Sequence, residues 1–460
     1  MSKKITFGTD GVRNIAGTKL SANMAMQLGQ AAALCLSKPE KERERPAVFV
    51  GKDTRRSCDM LEMALCAGLN SMGVDAVRLG VIPTPGVAYL TELFEGNAGV
   101  MVSASHNSFE HNGLKLFGLG GKKLSDRQQE IIEAMLERDD LDQYFKEGTE
   151  IGRYYYRHIG VQSYAEHLAS LVKDDLSGLK VVIDAANGAA NSVLGPLLEL
   201  LKLNCTVIGN EPNGRNINAG CGSTCPETLA AEVVAQGADI GIALDGDADR
   251  IIAVDENGGI VDGDQLLAIF GFDYKQRGLL RGNTIVGTVA SNMGLHRFCE
   301  QNDIQLICTP VGDRHVMACM AEEGLLVGGE QAGHIILMDY AETGDGLLVG
   351  LQLLSVMVRT GKKLSELAAV MQKYPQVSKN LNVSEWTRSS FSDQAAYISE
   401  LHEMKRLLGA DGRILVRASG TEPLLRVMVE APTPEMAERF AGKMADLLIR
   451  IDKEGQDMML

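Results

Sequence analysis

The chain is predicted to be an α/β protein with a smaller α+β domain at its carboxyl end, on three observations. Short apolar, β-branched runs alternate with longer segments of helical periodicity over most of its 460 residues, the pattern of βαβ units with largely parallel sheets. Beyond residue 370 the pattern changes to two strand-like runs around a Gly-containing loop, followed by one long amphipathic segment. The length exceeds what one compact core supports and predicts two to four domains. Boundaries near 157, 257 and 370 give domains 1–157, 158–257, 258–370 and 371–460.

The elements follow in order. Ser21–Ser37 carries helical spacing. The charged run Lys38–Pro46 is a solvated loop, and Ala47–Gly51 is the first strand. Apolar runs predict further strands at Val100–Ser103, Val181–Asp184, Thr206–Ile208, Ile240–Leu244, Ile285–Thr288 and Leu306–Thr309. Between them Asp126–Glu137, Ala190–Leu201 and Gly294–Gln301 read as helices. In the last domain Arg413–Arg417 and Leu425–Val429 read as strands. Pro434, tolerated in a first helical turn, opens a helix to about Arg450.

Composition narrows the function classes. Hydrophobic content of 45% and charged content of 23% are those of an ordinary globular protein. The net charge of −15, without a basic stripe, argues against nucleic acid and anionic membranes as partners. Met1–Gly8 lacks a signal-peptide core. The apolar stretch Gly346–Val358 is shorter than the roughly 20 residues of a membrane span. Nine cysteines without a Cys-x-x-Cys pair argue against structural zinc and suit a reducing cytoplasm.

Five loops carry chemistry. Ser103-Ala-Ser105-His106-Asn107 follows the run Gly99–Val102, placing the Ser105 hydroxyl where α/β sites lie. A serine becomes a phosphoryl carrier only beside a cation and a proton acceptor. By its own residues this loop reads more readily as an ordinary strand-to-helix turn with a capping serine. Asp245-Gly-Asp247-Ala-Asp249-Arg250 sets three carboxylates at alternate positions, able to converge on Mg²⁺. The rival is a calcium-binding EF-hand with Glu256 at its twelfth position, against which stand Arg250 where Gly is needed and strand-like flanks.

In Gly328-Gly-Glu330-Gln331-Ala332-Gly333-His334, Glu330 can accept hydrogen bonds from sugar hydroxyls and His334 can move a proton. Arg417-Ala-Ser419-Gly420-Thr421-Glu422-Pro423, with Arg426, concentrates donors for a phosphate dianion. Thr6–Arg13 offers Arg13 to neutralise a transferring phosphoryl group, or is merely a turn before the first helix. Near the serine, Asn112–Lys115 supplies the Lys115 amine as an acid or base.

These loops, in this order and across the whole chain, resemble the α-D-phosphohexomutase superfamily. Within it, Phe7–Arg13, Cys221–Thr224, Ser291–Leu295, Val311–Arg314, Gly329–Gln331 and Thr343–Gly346 are similar to the bacterial-type phosphoglucosamine mutase family. The resemblance implies three similar mixed/parallel α/β domains plus a C-terminal α+β domain around a central cleft. It implies a phosphorylated Ser105, one Mg²⁺ held by Ser105, Asp245, Asp247 and Asp249, and Lys115 and His334 as acid/base groups. Arg13 and Arg250 would line the reaction centre, and Glu330 and Gln331 would hold the sugar. Arg417, Ser419, Gly420, Thr421 and Arg426 would hold the distal phosphate.

The implied reaction interconverts glucosamine 6-phosphate and glucosamine 1-phosphate through a bisphosphorylated sugar, towards UDP-N-acetylglucosamine. The partner is then a small phosphosugar, with room for a homodimer. Phosphomannomutase/phosphoglucomutase activity is the alternative, and a non-catalytic phosphosugar- or calcium-binding protein the distant one. Ser108, His111, Asn14, Cys225 and Ala332 depart from the family pattern, and none removes a group needed for phosphoryl transfer.

Overall fold

The computed structural model describes residues 11–36, 45–138, 140–418 and 424–459. Its strands form four sheets, of six, five, four and three strands. In the first, Ala47–Lys52 runs parallel to Asp75–Val81 and Ala98–Val102, and Tyr154–Tyr156 adds parallel to Asp75–Val81. His111–Phe117 then returns antiparallel to Ala98–Val102, and Val12–Ile15 pairs antiparallel with it at the edge.

The second sheet repeats this plan. Lys180–Asp184, Asn204–Ile208 and Ile240–Leu244 are parallel, and Ile251–Asp255 returns antiparallel to Ile240–Leu244. In the third sheet Thr284–Thr288, Gln305–Thr309 and Val327–Gly329 are parallel, and Ile335–Leu337 is antiparallel. The fourth is wholly antiparallel, with Leu424–Glu430 between Gln376–Asn382 and Arg413–Ala418. The α/β expectation with an α+β C-terminal domain is met.

This plan positions the chemistry. The serine, aspartate and Glu330–His334 loops each connect a parallel strand of a sheet to the antiparallel return strand beside it. Each therefore sits at the carboxyl edge of the parallel strands, where ligands bind in such sheets. Ser419, Gly420 and Thr421, between the fourth sheet's strands Arg413–Ala418 and Leu424–Glu430, lie outside the described residues.

One hydrophobic core runs through the first three sheets, from Phe49 through Ile242 and Leu267 to Met371. At its centre lies the helix Gly346–Thr360, with Leu353 and Leu354 fully buried. Truncating either to alanine costs about 2–5 kcal/mol by cavity formation. Asp345 starts this helix by accepting the Leu348 N–H at 3.0 Å, and Gly361, at φ 63°, ends it. None of the helices described is long and apolar enough to cross a membrane.

Three expectations are corrected. The serine loop is a strand-to-strand connection, with no helix following it. In the Thr6–Arg13 loop, the residues after Gly11 form the edge strand Val12–Ile15, which pairs with the strand His111–Phe117 that carries Lys115. The last helix spans Pro434–Met459, well past Arg450, because Ile451 is buried in the last core and Gly455 packs under Trp386.

Candidate active site

Ser105 sits at φ 51°, a left-handed conformation that a serine adopts only when its surroundings impose it. The imposition is visible. Its amide N–H donates to Ser103 Oγ at 2.9 Å, and Ser103 Oγ donates to Asp53 Oδ2 at 2.7 Å. Its carbonyl accepts from Arg55 Nη2 at 2.8 Å and from Asn218 Nδ2 at 2.9 Å. The hydroxyl is then aimed at the second sheet, donating to Asp245 Oδ2 at 2.5 Å.

The aspartate loop approaches this closely because position 246 is glycine. A Cβ there would lie 2.7 Å from the Ser105 carbonyl oxygen. Asp245, Asp247 and Asp249 are all buried, each offering an oxygen within 4.8 Å of the others. Three buried carboxylates repel one another strongly unless a cation compensates them. Burial, then the charges of Asp249 and Asp247, push Asp245 up to about 8.

Lys115, reaching from the first sheet, places its ammonium 2.8 Å from both Asp247 and Asp249. Burial alone would raise Asp249, but Lys115, His334 and Arg250 drive it well below the usual carboxylate range. Thr84, at the start of a helix, donates its hydroxyl to Asp247 Oδ2 at 2.5 Å and its N–H to the Asp247 carbonyl at 2.9 Å.

Oδ1 of Asp247 and of Asp249 remain buried without a hydrogen-bond partner among the described residues. An all-oxygen set with spare lone pairs suits a hard divalent cation. The structure disposes of the EF-hand rival. Ile240–Leu244 and Ile251–Asp255 pair as a hairpin, and Glu256 accepts instead from Ser365 Oγ at 2.6 Å.

The third loop converges on the same place. His334 Nδ1 lies 3.8 Å from Asp249 Oδ1, and Nε2 lies 3.6 Å from Asp313 Oδ2, which pairs with Lys123 of the first sheet's domain. The Gly344 N–H donates to Nε2 at 3.2 Å. Nε2 is thereby engaged as an acceptor, and Nδ1 is the nitrogen that faces Asp249. Glu330 Oε1 accepts from the Gly312 N–H at 2.9 Å, and its charge acts on both Arg250 and Arg417.

The cations are arranged around this centre. Arg13 donates to Asn107 Oδ1 at 3.0 Å on the serine loop. Arg250 has its Nε 3.9 Å from Asp249 Oδ1. Burial first, then Arg250 and Arg13, hold His106 down to about 3, so its ring is neutral beside the serine, with Nδ1 3.4 Å from Oγ.

Arg417 and Arg426 stand directly opposite each other on paired strands, and burial followed by Arg426 lowers Arg417. Like charges in register are unfavourable unless an anion joins them. Gln331 is turned elsewhere: its Nε2 donates to Gln376 Oε1 at 3.0 Å, beside a cavity of about 510 Å³ that Asp262, Asn292, Lys373 and Tyr374 also line.

The structure thus brings Ser105, Lys115, the three aspartates, Arg250 and His334 together, with Arg13 at the serine loop. It sets Gln331 at the boundary with the fourth sheet. Arg55, Thr84 and Asn218 have no part in the sequence reading, and Asp313 and Gly344 stand in it only within the family-like stretches Val311–Arg314 and Thr343–Gly346, without a role. Of the first three, only Arg55 carried a local signal, since it lies just past the end of the parallel strand Ala47–Lys52.

Comparison with known proteins covers almost the whole chain. Families described as phosphoglucomutase/phosphomannomutase match in four parts. Alpha/beta/alpha domains I, II and III match residues 4–143, 162–259 and 262–374, and the C-terminal domain matches 353–447. The phosphoglucosamine mutases of Halalkalibacterium halodurans and Shouchella clausii are each 47% identical over 96% of this chain and 98% of their own.

A crystal structure of a phosphoglucomutase/phosphomannomutase family protein from Burkholderia thailandensis is 26% identical, with a TM-score of 0.80 over 99% of both chains. Aspergillus fumigatus N-acetylphosphoglucosamine mutase, solved with GlcNAc-6P and magnesium, shares the fold. Its TM-score is 0.70 at 18% identity, over 98% of this chain and 96% of its own.

Proposed function

The chain belongs to the phosphoglucomutase/phosphomannomutase family, and on that premise we propose that it is a phosphoglucosamine mutase working through phosphoserine 105. The isomerase interconverts glucosamine 6-phosphate and glucosamine 1-phosphate. The observation that carries this is the Ser105 hydroxyl 2.5 Å from Asp245, within a ring of carboxylates, Lys115 and His334 drawn from three sheets.

Two half-reactions return the protein to its starting state. In the first, the bond from phosphorus to Ser105 Oγ breaks as a bond from the sugar hydroxyl oxygen to phosphorus forms. The hydroxyl proton passes to the lone pair of Lys115 or His334 in its neutral form, and the electron pair of the broken bond stays on Oγ. The bisphosphorylated sugar turns over, and its other phosphate returns to Oγ with the proton restored to the vacated sugar oxygen.

Arg13 and Arg250 offset charge on the transferring group, while Glu330 and Gln331 orient the sugar. Arg417 and Arg426, with Ser419, Gly420 and Thr421, grip the phosphate that is not reacting. Asp245, Asp247, Asp249 and the phosphoserine are the proposed ligands of one Mg²⁺. When bound, the ion supplies a fixed positive charge that stabilises the transferring phosphoryl oxygens.

The domain division 1–157, 158–257, 258–370 and 371–460 belongs to the same proposal. So does a cytoplasmic location, supported by nine cysteines that are all free thiols. The test is a coupled assay comparing glucosamine, glucose and mannose 6-phosphates. Glucosamine 6-phosphate is expected to give the highest kcat/KM. A higher value on glucose or mannose 6-phosphate assigns the chain instead to phosphoglucomutase or phosphomannomutase chemistry.

A further inference from the structure

Phosphoryl transfer needs the serine of one domain registered against the carboxylates of another, and a misplacement near 1 Å is enough to cost about 100-fold in rate. Ser105 hangs from the first sheet and the aspartates from the second, so something must hold the two loops in register. Besides the Ser105–Asp245 bond itself and the Lys115 ion pairs with Asp247 and Asp249, hydrogen bonds of four residues join them among the described residues. Thr84 binds Asp247, Thr54 Oγ1 donates to the Asn187 carbonyl at 2.6 Å, and the Arg56 N–H donates to the Gly214 carbonyl at 3.0 Å. The fourth, Asn218, is made differently.

Asn218 Nδ2 donates to the carbonyls of Ser105 and Asn107 at 2.9 and 3.0 Å. Arg55 Nη2, from the first sheet's own domain, donates to the same two carbonyls at 2.8 and 2.9 Å. Its Nη1 reaches the carbonyls of His111, at 3.2 Å, and Ser108. The Arg55 guanidinium is buried and locked by Asp53 Oδ2 at 2.8 Å, the oxygen that also accepts from Ser103. The amide of Ser105 is thus fixed through Asp53 and Ser103, and its carbonyl through Arg55 and Asn218.

Asn218 is itself set rigidly. It stands at φ 57°, and its N–H donates to the Ala186 carbonyl at 3.0 Å. Ala186 in turn donates its N–H to Asp184 Oδ1 at 2.9 Å, at the end of the strand Lys180–Asp184 that neighbours the aspartate-bearing strand. A short covalent and hydrogen-bonded path therefore runs from the second sheet to the backbone of the serine.

We propose that Asn218, acting with Arg55, is a positioning residue that sets the Ser105 hydroxyl at its working distance from the aspartate loop, so that the two domains deliver one centre. This rests on the phosphoserine reading above. Neither side chain touches the reacting atoms; both act through the serine backbone. Strained backbone at a reacting residue persists only where surrounding bonds over-determine it, and here two donors share each of two carbonyls.

The test uses Asn218→Gly, which keeps a residue tolerant of φ 57° and removes only the side-chain amide. The matched control is Thr54→Val, which removes one hydrogen bond across the same inter-domain boundary without touching the serine loop. Wild type and both variants are phosphorylated on Ser105, and transfer to glucosamine 6-phosphate is followed in a single turnover, with KM, kcat and the urea midpoint.

Asn218→Gly is expected to slow transfer at least tenfold with KM within twofold, while Thr54→Val loses stability of similar size and keeps transfer within threefold. Equal transfer rates in wild type and Asn218→Gly overturn the inference. So does a transfer loss in Thr54→Val matching that of Asn218→Gly, which would make the contact mere docking. If wild-type phosphoprotein transfers to no hexose phosphate at all, the phosphoserine reading itself fails, a separate outcome.

Discussion

Replacing Gly344 by alanine tests how His334 is held. A Cβ on residue 344 would lie 2.5 Å from both Nε2 and Cε1 of His334 and 2.7 Å from Cδ2. Ordinary van der Waals contact begins near 3.4 Å, so the imidazole must retreat by about 0.9 Å. The ring is buried between Asp249 and Asp313, which leaves it little room to move without losing its alignment on the aspartates.

A displacement of that size at a proton-transfer group costs about 100-fold in kcat, equivalent to about 2.7 kcal/mol of activation free energy. Overpacking costs a further ~1–3 kcal/mol of stability, which the fold survives. Steady-state kinetics of Gly344→Ala with glucosamine 6-phosphate, beside a urea melt, should show a kcat near one hundredth of wild type. KM should change little, because the substrate-phosphate arginines lie on another sheet. A kcat within threefold of wild type would refute the placement of His334 as an acid/base group.

Asp264 gives a pH prediction. It is fully buried, accepts from the Asn292 N–H at 2.7 Å, and has Oδ1 unpartnered among the described residues. Burial, then the neighbouring Asp262, push it up to about 8. An acid with a raised folded pKa keeps its proton in the folded chain after the unfolded chain has lost it. Stability therefore falls as pH rises from about 4 to 8, by at most ~1.4 kcal/mol per unit. Asp264→Asn should gain stability relative to wild type as urea melts move from pH 5 to pH 8; a constant difference contradicts this. Arg417→Gln should relieve the repulsion with Arg426, raising stability by roughly 0.2–1 kcal/mol, while KM rises at least tenfold from a lost charge-assisted bond. An unchanged KM would remove Arg417 from the phosphate site.

The parts of the site legible in the sequence were those whose chemistry is local. Asp245, Asp247 and Asp249 lie within five residues of chain, and their spacing alone proposes a cation site. Ser105 announced itself by following an apolar strand. Arg55, Thr84 and Asn218 did not, because their partners lie 50, 163 and 113 residues away and no local pattern encodes such pairs. Gly344 lies in the family-like stretch Thr343–Gly346, yet its purpose is the space it leaves for a ring ten residues earlier.

The strand His111–Phe117 was hidden by its polar start and internal Gly113, both weak strand signals. Gly113 is there because a Cβ would meet the Ser103 carbonyl oxygen at 2.5 Å. In the same way Gly455 reads as a helix stop, but the Trp386 ring occupies the space its Cβ would need, and the helix continues. The hairpin nature of the serine loop followed from that hidden strand, so the carrier residue was legible while its backbone setting was not.

The measurement that bears most directly on the account is the fate of phosphate on Ser105 during one turnover. Protein phosphorylated at Ser105 is mixed with an equivalent of glucosamine 6-phosphate, quenched at intervals, and read by intact mass and peptide mapping. The account predicts that phosphate leaves the Ser105 peptide as the bisphosphorylated sugar appears, at a rate no slower than kcat, and that Ser105→Ala keeps under a few per cent of activity. Phosphate that stays on Ser105 while glucosamine 1-phosphate accumulates would contradict it.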